Sequence, residues 1–139
     1  MKKTMQNFIK NSSIDAKLIR AVVRQSGGWA AFKEMVPDIT NHGISGGFSG
    51  WIYYTDTCQF YAKNQTVIVA LAEQLADEYG TNVIDFVAGF NCLNADDKQE
   101  IGKTLYGNKS KHDTTIANAL AWFAAEEVAH GFVDWVEQC

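Results

Sequence analysis

From Ile116 an apolar side chain returns at every fourth residue, through Leu120, Ala124, Val128 and Phe132. That period fits the ridge of an α-helix and does not fit a strand, whose side chains alternate faces at every second residue. Phe123 and Trp135 flank the ridge, so a helix starting at Asp113 or Thr114 and running to about the carboxyl terminus is expected to form the spine of the core. The second strong pattern is Ile68, Leu71, Ala72, Leu75 and Tyr79, which follow the i, i+3, i+4, i+7, i+11 rule for one buried helical face. A single proline, Pro37, stands against eleven glycines. The chain is therefore read as long helices punctuated by glycine.

The helix boundaries can be placed from capping chemistry. Ser12-Ser13-Ile14-Asp15 supplies oxygens for free amides ahead of Ile14, Leu18, Ala21 and Val22, and Gly27-Gly28 ends that helix. Trp29 to Met35 reads as a short helix stopped by Pro37, followed by a turn at Asn41-His42-Gly43. Four glycines between Gly43 and Gly50 make that stretch a loop. Asp56 can cap the central helix and Gly80 can close it, Thr81 can cap a short helix through Val87, and Asn94 can cap another from Ala95 to Tyr106. The expected fold is mainly α, a compact multi-helix single domain over residues 1–139, with at most a short β-strand or hairpin around residues 50–55. Residues 1–11 read as a partly ordered amino-terminal arm.

Composition narrows the functional classes. Apolar residues make up 47% of the 139 positions and charged residues 20%, enough hydrocarbon to order a chain of this length without metals or disulfides. The apolar stretch Ile116–Ala125 is much shorter than the about 20 residues a membrane span needs, and the first fifteen residues lack the apolar segment of a secretory signal. Cys58, Cys92 and Cys139 are odd in number and far apart, which fits reduced thiols in a cytoplasm. Residues 1–34 carry seven lysines and arginines against Asp15 and Glu34, a local +5 in a chain whose net charge is −4. A nucleic-acid footprint could only lie there, through Lys17, Arg20 and Arg24; the plainer reading is a solvated basic face.

No motif for catalysis stands out, and no cofactor is expected. Glu127 and His130 have the three-residue spacing of half a di-iron site, with Glu126 and Asp134 nearby, but no second Glu-x-x-His exists to complete it. The glycines of 43–50 are not followed by the lysine and hydroxyl of a phosphate-binding loop. Cys58 and Cys92 have no sequence context pairing them with His42 or His112 as a base. What remains is a concentration of large side chains with polar tips, His42, Phe48, Trp51, Tyr53, Tyr54 and Asp56, continuing into Phe60 and Tyr61. Such groups serve either as core or as a binding surface, because they bury much area at low entropic cost.

Gly46-Gly47-Phe48-Ser49-Gly50-Trp51-Ile52-Tyr53-Tyr54, then Phe60-Tyr61, then an alanine-rich helix, resembles the ArdB/KlcA antirestriction family. The aromatic order at Ile52-Tyr53-Tyr54 differs from that family, and Thr57-Cys58-Gln59 stands where it has a second double glycine. The whole chain, with its closing Trp122–Ala129 segment, is also similar to small proteins carried by phages and plasmids. The resemblance implies a non-enzymatic interaction protein of a mobile element that interferes with host defence by contacting a protein, with residues 41–61 as the contact surface. Mimicry of duplex DNA does not fit, since a net −4 falls far short of one charge per roughly 1.7 Å. Two alternatives from other classes are a metal protein or enzyme built on Glu127, His130 and Asp134, and a nucleic-acid binder using the basic amino-terminal helix.

Overall fold

Helix ends without partners for their amides and carbonyls fray, and this chain satisfies them locally at most boundaries. The computed structural model describes residues 2–46, 57–90, 94–106 and 113–138. Among them are seven helices, α1 (Met5–Asn11), α2 (Ala16–Ser26), α3 (Trp29–Gly46), α4 (Thr57–Glu78), α5 (Val83–Phe90), α6 (Ala95–Leu105) and α7 (Asp113–Gln138), with no strand. The fold is mainly α, as the periodicity predicts. Residues 50–55, where a short strand is expected, lie outside the described residues. The helices fall into two compact units, Met1–Thr55 with Ala124–Cys139, and Asp56–Phe123.

The first unit begins with a helix the sequence does not announce. Thr4 Oγ1 accepts the Asn7 amide at 3.2 Å, which starts α1, and Phe8 is wholly buried. The expected arm is thus anchored by one aromatic ring, which meets Trp29, Phe132 and Trp135 at 6.2, 5.7 and 5.5 Å between centroids. Asp15, rather than the expected serine, caps α2: its Oδ1 accepts the Lys17 amide at 2.8 Å, while Ser12 closes α1. At the other end Gly27 adopts φ 105°, a left-handed conformation that costs glycine little, and the Gly28 amide reaches back to the Val23 carbonyl at 2.9 Å. Leu18, Ile19, Val22 and Val23 line the buried face of α2, which packs on α3.

Helix α3 corrects the expectation of a stop at Pro37, a turn at 41–43 and a loop from Gly43. It runs on to Gly46 with Pro37 in its interior. Proline there lacks an amide and crowds the carbonyl four residues back, at a cost of about 3 kcal/mol. Phe32, Val36 and Ile39, spaced i, i+4, i+7, are all buried, so packing on both sides of the proline offsets that cost. In α7, Gly131 leaves room for Ile14: a Cβ there would stand 3.1 Å from Ile14 Cδ1.

The second unit is tied together by polar side chains. Helix α4 is kinked at Asn64 (φ −119°, ψ 16°), whose Nδ2 donates to the Phe60 carbonyl at 2.8 Å. Its face of Phe60, Tyr61, Ile68, Leu71, Ala72 and Ala76 is buried. Tyr79 does not continue that face; it lies past the helix end in a turn and is 75% exposed, stacked on Phe86 at 5.9 Å. Tyr61 Oη donates to the Thr104 carbonyl at 2.8 Å, and Gln65 Nε2 to the Leu105 carbonyl at 3.0 Å and the Thr104 carbonyl at 3.3 Å. Side chains of α4 thereby bond carbonyls in the last turn of α6. Asn82, rather than Thr81, caps α5: its Oδ1 accepts the Asp85 amide at 2.8 Å while its Nδ2 donates to Asp85 Oδ2 at 2.7 Å. Asn94 caps α6 through the Asp97 amide at 3.0 Å, as the sequence predicts. Within α7, Ile116, Leu120, Ala124 and Val128 are buried as expected, and so are Ala117, Ala121, Trp122 and Ala125 off the ridge. The helix is apolar nearly all round over this stretch, the signature of a buried helix.

Candidate functional site

The aromatic segment singled out in the sequence is not available for a geometric reading. Phe48, Trp51, Tyr53, Tyr54 and Asp56 lie outside the described residues, and of His42 only the backbone, within α3, is described. The far end of the expected contact region is described, and it is core. Phe60 is 3% and Tyr61 4% exposed, and the Tyr61 hydroxyl is committed to Thr104.

Glu127, His130 and Asp134 recur at i, i+3 and i+7 along one side of α7. Glu127 is half-buried, while His130 and Asp134 are exposed, and no hydrogen bond or ion pair joins Glu126 to His130. Among the described residues no three His, Cys, Asp or Glu side chains converge as metal ligands would. The residue that does stand out is Glu126. Partial burial pushes its carboxyl up to about 7, and the neighbouring charge of Glu127 adds to the effect. Glu126 is thus able to exchange a proton near neutrality, which no sequence pattern indicates.

Two surface features stand out. One is an open groove of about 620 Å³ in the second unit. Its floor is a single face of α4, Ala62, Gln65, Thr66, Val69, Ala70 and Glu73, and its wall is Leu105 with the 64% exposed ring of Tyr106. Those α4 positions recur at i, i+3, i+4, i+7, i+8 and i+11, so the floor extends over about 16 Å of helix. Small side chains at 62, 66 and 70 keep it shallow enough for another backbone to come close. The unit holding it carries nine acidic residues against five lysines. The spacing of small residues was present in the sequence, but the Ile68 face of the same helix masked it, because both faces repeat at the same period.

The other surface is the outward face of α2. Lys17, Arg20 and Arg24 are all exposed, and none makes an ion pair among the described residues. The two described salt bridges both lie in the second unit, Lys98 with Asp85 at 3.1 Å and Lys103 with Glu100 at 3.6 Å. Lys98, hydrogen-bonded to Asp85, holds that carboxyl below its usual range, with Asn82 contributing. Among the described residues, no helix is long and apolar enough to cross a membrane.

The model of the family Domain of unknown function (DUF7222) matches residues 2–138, and the chain belongs to that family. No curated protein and no solved structure matches it.

Proposed function

We propose that this member of DUF7222 is a protein-interaction module that acts by surface contact rather than by chemistry. The observation that carries this reading is the groove along α4 with Tyr106 exposed at its edge. A floor three turns long with small residues at 62, 66 and 70, walled by an aromatic ring with a hydrogen-bonding tip, suits the insertion of a helix. The floor's one charged group is Glu73, in a unit of net charge −4, so the complementary occupant is a partner helix with basic residues beside small or apolar ones. Following the likeness to antirestriction proteins, the partner is a component of a host defence system and the setting is the cytoplasm of a cell invaded by a mobile element.

The test is phage plating on restricting cells that express the chain. Native protein is expected to raise plating efficiency, and Ala70→Trp, which fills the groove from an exposed position, is expected to abolish the rise while leaving the circular dichroism melt unchanged. Unaltered restriction with native protein, across several systems, removes the anti-defence role. Relief that survives Ala70→Trp removes the groove as the contact surface.

A further inference from the structure

We propose that the exposed face of α2 binds the phosphate backbone of nucleic acid, through Lys17, Arg20 and Arg24, independently of the α4 groove. The three residues are spaced i, i+3, i+7, which places them within about 60° of arc and about 10 Å of axis on one helix. The opposite face of α2, Leu18, Ile19, Val22 and Val23, is buried, and both ends are closed, by Asp15 at the start and by left-handed Gly27 at the finish. The row of cations is therefore presented by a fixed scaffold.

Charge distribution sets this row apart from an ordinary solvated face. The first unit has seven basic and seven acidic residues, yet all seven basic ones, Lys2 through Lys33, come from its first three helices and the segment leading into them. Four of its acids, Glu126, Glu127, Asp134 and Glu137, are on α7. Of the remaining carboxylates, Asp15 Oδ1 is bonded to a backbone amide, and neither Glu34 nor Asp38 is paired with Lys17, Arg20 or Arg24. In a protein of net charge −4, three adjacent cations stay without counter-charges among the described residues.

The chemistry favours phosphate in a linear polyanion. Two of the three groups are arginines, whose planar fork matches phosphate oxygens in a bidentate manner. A straight row suits a ligand whose charges recur along a line. A membrane surface fits less well, because an interfacial helix inserts its apolar face and that of α2 is already buried. The exposed large hydrophobic side chains of the described residues, Tyr79 and Tyr106, are in the other unit.

The experiment is fluorescence anisotropy of the full chain with a labelled duplex of arbitrary sequence, over a salt series. Three phosphate contacts give a slope of log affinity against log salt of about −2.7, or about 40-fold weaker binding between about 50 and 200 mM. The K17Q/R20Q/R24Q variant is expected to lose at least about tenfold in affinity and to flatten the slope. K63Q/K98Q/K103Q, which removes the same charge from the other unit, is expected to bind as the native chain does. Absence of binding at low salt, equal losses in the two variants, or equal affinity for polyglutamate or for phosphatidylserine vesicles would overturn the assignment. If the α2 variant fails to fold, the native chain alone decides, and a slope shallower than about −1.8, equivalent to two contacts, counts against it.

Discussion

The two units solve the same problem, holding short helices in place, with different materials. In the first, the fixing element is hydrocarbon: Phe8, Trp29, Phe32, Phe132 and Trp135 form a continuous set of ring contacts between 5.5 and 6.2 Å. Polar detail is secondary there, and the buried indole Nε1 of Trp135 has no hydrogen-bond partner among the described residues. In the second, Tyr61 and Gln65 reach across to the last carbonyls of α6, so a helix end is secured by hydrogen bonds from a neighbouring helix. Ring packing is strong but undirected, whereas a carbonyl held by a donor fixes register. The contrast places the two candidate surfaces on different kinds of support: the basic row on a helix locked by apolar packing, the groove on a helix pinned to its neighbour by polar contacts.

The sharpest way to break the comparison is Phe8→Ala. Removing a wholly buried ring from the aromatic set is expected to cost about 3–5 kcal/mol by denaturant titration. A loss below about 1 kcal/mol would mean that α1 is not part of the core. Tyr61→Phe is the matching change in the second unit. It deletes one donor and keeps the ring, and since Gln65 also reaches the Thr104 carbonyl at 3.3 Å the expected loss is about 1 kcal/mol. Adding Gln65→Ala should then give a loss that departs from the sum of the two single changes, because both donors reach the same Thr104 carbonyl.

Of this architecture, the parts governed by local chemistry could be read from the chain. Asn94, Gly27 and Gly80 end or start helices as their side chains and conformational freedom dictate, and Ile116, Leu120, Ala124 and Val128 of the ridge are buried as its period requires. The misread parts depend on distant partners. Nothing near Met5 announces α1, whose anchor Phe8 meets rings over a hundred residues away. Pro37 looked like a terminator because the burial of Val36 and Ile39 that carries α3 past it is tertiary. Most of the expected contact region lies outside the described residues. Phe60 and Tyr61, at its described end, are core, while the exposed large rings among the described residues are Tyr79 and Tyr106, each just beyond a helix end where sequence period no longer reports on burial.

Glu126 sharpens the comparison through pH. Its carboxyl is pushed up to about 7 when folded and has its ordinary value of 4.5 when unfolded, so between those values the folded state binds the additional proton. Stability should therefore fall as pH rises through this window and be lowest above it. With the group about half exposed, solvent screening reduces the effect to about 1–2 kcal/mol. Glu126→Gln should raise stability by that amount at pH 8 and leave it nearly unchanged at pH 4.5, as read by urea melts at both values; an unchanged difference between them would refute the shift. The smallest effect is expected for Gly131→Ala. Better helix propensity, about 0.5–1 kcal/mol, is opposed by a 3.1 Å approach to Ile14 Cδ1, the movable end of a side chain. The net change in thermal midpoint should be near zero, and a large drop would show that the Ile14 contact is rigid.

We propose the α4 groove as the surface where this protein meets a partner. Plating efficiency of restricted phage, compared between cells making the native chain and cells making Ala70→Trp at equal abundance, addresses it most directly. Relief by the native chain and none by the variant is the expected result. Equal relief by both would contradict it.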